Sequence, residues 1–108
     1  MIIRKKVRTD IQKRSELSRL VYKMKRARII PSLYIVTLPL IGDGVLEIYN
    51  YNTLIQPYFK QRYDTIKVVG ISRSKSGAME LVRKIYEDVV AKDENLDVGT
   101  FLTVEQGI

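Results

Sequence analysis

The chain has 108 residues, a formal net charge of +7, 45% hydrophobic residues and 29% charged residues. That length and mix predict one globular domain and exclude wholesale disorder. There is no cysteine and no histidine, which removes disulfides, thiolate metal sites and the commonest general base near neutral pH.

No metal site and no cofactor is expected from such a set, and a binding protein is favoured over an enzyme, which stays open as an alternative. No stretch reaches the roughly 20 apolar residues that a membrane-spanning helix needs. The start, MIIRKKVRTD, has no apolar core behind its charges, so a secretory leader is not expected. Its basic, acid-poor character leaves a transit peptide as an alternative. A cytoplasmic location is the expectation, consistent with the absence of cysteine.

Residues 1–8 read as a short strand or arm with Ile2, Ile3 and Val7 as its apolar side chains. Thr9 and Gln12 form a capping-box pattern, which predicts a helix over residues 10–28. Leu17, Leu20, Val21 and Met24 make one apolar stripe along it. Residues 1–28 carry 11 of the 19 Lys and Arg and only two acids, a net +9, whereas residues 29–108 carry −2. The chain is accordingly divided into a basic N-terminal arm and amphipathic helix, 1–28, and a small α/β domain, 29–108. Charge concentrated in this way points to a polyanionic partner.

Arg4, Lys5, Lys6, Arg8, Lys13, Arg14, Arg19, Lys23, Lys25 and Arg26 are the candidate contacts to nucleic-acid phosphates. Lys and Arg bind a phosphate backbone by charge and counterion release. DNA or RNA is therefore the expected partner, with low sequence specificity. The same helix would suit an anionic membrane surface. The plain alternative is a solvated face, packed on the domain through its apolar stripe.

Pro31 separates this helix from residues 32–40, SLYIVTLPL. The nearly continuous apolar centre predicts a strand buried on both faces, as in a parallel sheet. Gly42-Asp43-Gly44 reads as a turn. Val45, Leu46, Ile48 and Tyr49 then predict a short helix, broken near Asn52. A further helical turn is predicted over 56–61, because Pro57 forbids one continuous helix. Tyr49, Tyr51, Tyr58, Phe59 and Tyr63 interleave with Lys60, Arg62 and Lys67. Such rings can stack unpaired bases. No nucleic-acid-binding motif accompanies them, so core or protein interface is their expected role.

Residues 65–72, TIKVVGIS, predict a second strand. Ser74 or Ser76 should cap the next helix, whose stripe is Ala78, Leu81, Val82, Ile85 and Val89. Glu80 with Lys84 and Arg83 with Glu87 form charge pairs on its outer face. Residues 98–105 predict a third strand, with Thr100, Leu102 and Val104 on one side.

The order β-α-β-α-β predicts an α/β fold with a small, mainly parallel sheet of three or four strands, preceded by the basic N-terminal helix. Right-handed crossovers place both body helices on one face. The stripe of the N-terminal helix, or a second copy of the chain, should cover the other.

The strand-to-helix connection supplies a second candidate site for an anion: Ser72, Arg73, Ser74, Lys75 and Ser76, with Asp43 at the same sheet edge. It has neither P-loop nor GxGxxG spacing. The plain alternative is a serine-capped turn. No base stands ready to activate a serine, and no catalytic residue is assigned. Three function classes follow. The first is a nucleic-acid-binding accessory protein. The second is a homo-oligomeric or partner-binding module. The third is a small anion- or phosphate-binding domain or enzyme.

Overall fold

A computed structural model of the chain describes residues 1–41 and 45–108. The elements are β1 (Ile2–Thr9), α1 (Arg14–Lys25), β2 (Tyr34–Thr37), β3 (Glu47–Asn50), α2 (Tyr51–Leu54), α3 (Pro57–Lys60), a 3-10 turn (Tyr63–Thr65), β4 (Lys67–Ser72), α4 (Lys75–Lys92) and α5 (Val98–Gln106). The strands form one four-stranded sheet in the order β1-β4-β2-β3. β1 runs parallel to β4; β2 is antiparallel to both β4 and β3.

Helices cover both faces. On one face Leu20 and Met24 of α1 pack with Ile3 and Val7 of β1, Ile35 of β2, and Val68 and Ile71 of β4; Tyr51, Leu54, Phe59 and Tyr63 extend this core. On the other, Ala78, Ile85 and Val89 of α4 and Val98 and Leu102 of α5 pack on Val36 and Val69. The apolar stripe of α1 thus covers the face that α4 and α5 leave open. Among the described residues no helix is long and apolar enough to cross a membrane.

Four sequence expectations are corrected. The sheet is mostly antiparallel rather than mainly parallel. The continuous apolar run of β2 reflects two covered faces: Ile35 and Val36 lie in opposite cores and both are fully buried. Burial on both sides does not require parallel pairing.

No basic helix precedes the sheet: the N-terminal element, residues 1–8 read as a strand or arm, is the edge strand β1, and the helix follows it as α1. Thr9 is not a helix cap but the end of β1, paired with Ile71. Its hydroxyl donates to the Ile71 carbonyl at 2.8 Å and accepts from the Ile11 N–H at 3.0 Å. The ladder therefore claims the residue that the capping pattern needed, and α1 starts at Arg14 with no side-chain cap.

The segment predicted as helix at Val45 to Tyr49 contains strand β3 instead. Tyr49 pairs with Ile35 and Ile48 with Val36, and this cross-strand packing overrides a weak local pattern. The predicted third strand is helix α5. Its inward residues are Val98, Leu102 and Gln106, which are spaced for a helix and not alternate. Asp97 caps it by accepting from the Thr100 N–H, and Gly107 ends it at φ 72°. That left-handed conformation suits glycine.

The β1–β4 ladder contains a large irregularity. Ile3 pairs with Val68 and Arg8 with Gly70, so residues 4–7 of β1 pass a single residue of β4, Val69. On its other side β4 also skips Val69, because Val36 pairs with Gly70 and Thr37 with Val68. The Val69 carbonyl accepts instead from the Gln106 side-chain amide at 3.0 Å. A buried carbonyl left without a donor would be costly, and α5 supplies the donor. The bulge gives an edge strand rich in Arg and Lys, two features that discourage pairing with another sheet.

A chain beginning at Ile29 tests whether residues 29–108 stand alone as a domain. Such a chain loses β1, a sheet edge, together with Leu20 and Met24 from the core. We predict no cooperative unfolding transition for it by denaturant titration, in contrast to the full chain.

Candidate functional site

A groove of about 490 Å³ lies between the irregular stretch of β1 and α1. Arg4 and Lys5 line it from β1, and Arg14 and Lys25 from α1. Its apolar lining is Ile3, Val7, Leu17 and Val21, with Ser18 beside them. No acidic side chain lines it among the described residues. Positions 14, 17, 18, 21 and 25 share one side of α1, as helical spacing requires. That side adjoins the buried stripe, so these stems rest on apolar surface while the charged ends reach water. Burial lowers the pKa of the Met1 amino group, with Asp64 acting against the shift and Lys25 adding to it.

The ten cations singled out in the sequence divide into groups. Arg4, Lys5, Arg14 and Lys25 converge on the groove. Lys6, Lys13, Arg19 and Arg26 are exposed outside it, and Lys23 is half-buried. Arg26 lies over the ring of Tyr22, its guanidinium carbon 3.7 Å from the ring centroid.

Arg8 is set apart from the other nine. It donates to Asp88 of α4 at 2.7 Å and to both oxygens of Glu105 of α5 at 3.1 Å. Its side chain is only 16% exposed. Burial works against its charge, and the hydrogen bonds with Glu105 and Asp88 more than offset this, so its pKa is raised above the ordinary arginine value. A fork-to-fork pair of this kind is geometrically demanding. Arg8 therefore fastens the C-terminal end of β1 to both helices of the opposite layer.

The second candidate site is a compact polar turn at the start of α4. Ser74 is the cap and accepts from the Gly77 N–H at 3.0 Å; its hydroxyl lies 3.3 Å from that of Ser76. Ser72 is fully buried and donates to the Asp10 carboxylate at 2.8 Å. A Cβ on Gly77 would lie 2.2 Å from the Ser72 hydroxyl and 2.4 Å from Asp10 Oδ2, so only glycine leaves room. The chain's own Asp10 thus supplies the negative charge that a helix N-terminus favours. Arg73 turns toward Glu16 of α1, at 3.7 Å. Lys75 is exposed. Asp43, with the rest of the expected turn Gly42-Asp43-Gly44, lies outside the described residues. Among the described residues no cluster of acids is arranged to hold a metal ion.

The aromatic segment divides as well. Tyr51, Phe59 and Tyr63 are core residues, Tyr49 is half-buried, and Tyr58 is exposed. The Tyr63 hydroxyl donates to the Met24 carbonyl at the end of α1 and lies 3.2 Å from the Tyr51 hydroxyl. Burial raises the pKa of both phenols. Burial, then the hydrogen bond to Glu47, pushes Tyr49 up to about 12. Tyr63 thus ties the end of α1 to this segment, and Tyr58, edge-on to Phe59, is the ring of the five that is open to solvent. Sequence reasoning passed over Tyr22, which is 54% exposed beside the groove-lining face of α1. The signal was present in its position one residue after the stripe residue Val21.

The division among the cations is testable by stability. Arg8→Ala should lower the free energy of unfolding by about 1–2 kcal/mol, allowing for solvent screening of its partners. Arg4→Ala should change it by less than about 0.5 kcal/mol, as for a surface substitution. Urea titration of both variants reads the difference. Compared with protein-family models, curated proteins and solved structures, the chain matches none.

Proposed function

We propose that the protein is a non-enzymatic accessory protein of the cytoplasm that binds nucleic acid through the basic surface of β1 and α1. The observation that carries this reading is the groove: Arg4, Lys5, Arg14 and Lys25 converge on it and no described acid lines it. Cations gathered in one concave place raise the local concentration of a polyanion more than the same charges spread over a surface. The +9 against −2 partition of the sequence supports the same reading. Arg8 leaves the set of phosphate contacts, because two carboxylates already engage it. Contacts of this kind recognise the phosphate backbone and carry little sequence information.

Salt-titrated binding of the full chain to DNA and RNA tests the proposal. With four groove cations each neutralising one phosphate, log K should fall with log salt at a slope of about −3. Replacing Arg4, Lys5 and Arg14 together by Glu should weaken binding at low salt by about tenfold or more. Binding that ignores salt, or that survives this replacement unchanged, would contradict the reading.

A second reading, self-association, has one observation in its favour. A groove of about 310 Å³ beside α5 is lined by Leu96, Phe101 and Val104 with Lys92, Thr100 and Glu105, and Val104 is 74% exposed. A second copy seated there would bury this surface. Sedimentation of the same samples decides it: a mass that stays monomeric as concentration rises removes self-association.

A further inference from the structure

The groove has properties that a phosphate-binding surface alone does not need. Its floor is apolar, built by Ile3, Val7, Leu17 and Val21 between two walls of cations. A duplex presents phosphates and sugars on its outside and keeps its base faces stacked inside. Such a floor finds no base face on a duplex, but it accommodates the base faces of a single strand.

The second observation is independent of the groove. Tyr22 and Arg26 form a stacked pair on α1 that packs into neither core. Tyr22 is 54% exposed, and the guanidinium lies 3.7 Å from its ring centroid. On a helix, residues three and four apart are neighbours. Tyr22 is therefore flanked by Ser18 and Lys25, both of which line the groove. The stack stands at the groove's lip, next to cations that would hold a phosphate. A planar base adds to a tyrosine–guanidinium stack by the same π and cation–π attraction that holds the pair together.

We infer that the groove takes single-stranded nucleic acid, with phosphates on Arg4, Lys5, Arg14 and Lys25 and one unpaired base on the Tyr22–Arg26 stack. This rests on the proposed nucleic-acid reading and narrows it to a strand with free base faces. Only an unpaired base has a face to offer, so duplex binding would use the cations alone.

The experiment uses the full chain and fluorescence anisotropy. The probes are a short labelled oligothymidylate, the same oligomer annealed to its complement, and vesicles containing phosphatidylserine. The variants are Tyr22→Ala, Tyr22→Phe, and Arg4→Glu combined with Lys5→Glu. Tyr22 is exposed, so both of its variants should fold, which circular dichroism checks.

The single strand should bind about tenfold more tightly than the duplex. Tyr22→Ala should lose about tenfold on the single strand and nothing on the duplex. Tyr22→Phe keeps the ring and should bind like the parent, a rescue that a merely structural role for the hydroxyl would not give. The double charge reversal should weaken both nucleic acids. Duplex binding as tight as single-strand binding, or a Tyr22→Ala variant that binds unchanged, would overturn this inference and leave the broader reading standing. Binding to the vesicles and to neither nucleic acid would overturn both.

Discussion

The parallel pairing of β1 with β4 is the constraint from which the rest of the structure follows. It ties the first residues of the chain to one of the two inner strands of the sheet, and it does so imperfectly. Residues 4–7 of β1 pass one residue of β4. The pairing fixes where α1 begins, because Thr9 is held in the ladder and the helix waits until Arg14. The mismatch leaves Val69 outside both registers, and Gln106 of α5 supplies the donor that its carbonyl requires. Arg8, the first residue back in register, fixes the strand to α4 and α5 through Asp88 and Glu105. An edge strand that packs in the core beneath α1 is thus also tied to both helices of the opposite layer.

The basic segment is therefore part of the fold and also its most charged surface. A flat edge strand with open hydrogen-bonding groups invites pairing with other sheets. Bulging and dense positive charge both work against that. Residues of the same irregular stretch line the groove, so the protected edge and the concave basic surface share side chains. The polar turn at α4 is different. Ser72, Ser74 and the Gly77 N–H are directed to one another and to Asp10, while Lys75 stays exposed.

Much of the architecture was legible in the sequence where burial dictates pattern. The stripe of α1, the strand 65–72 and the long helix after it follow from apolar spacing alone. The misreadings at residues 45–49 and at Thr9 share a cause: each depended on a distant partner. Val45 to Tyr49 has no periodicity strong enough to resist β2, so the hairpin decided its conformation. Alternating Thr100, Leu102 and Val104 imitated a strand, although Asp97 as a cap and Gly107 as a stop already marked a helix. The capping pattern at Thr9 was sound local chemistry, overridden by a ladder partner 62 residues away. The candidate site was legible as a concentration of charge. Its shape was not, because a bulge is a property of two strands in register and no single segment encodes it. For the same reason the sequence could not separate Arg8, with its two carboxylates far along the chain, from Arg4 and Lys5.

The central claim is that the bulge of β1 and the adjoining face of α1 form one ligand surface. Amide hydrogen exchange of the full chain, free and saturated with oligothymidylate, measures this most directly. The account predicts slowed exchange concentrated in residues 4–7 and along the groove side of α1 as far as Lys25, with α4 and α5 unchanged. Protection centred on α4 and α5, or measurable binding that leaves residues 4–7 unaffected, would contradict it.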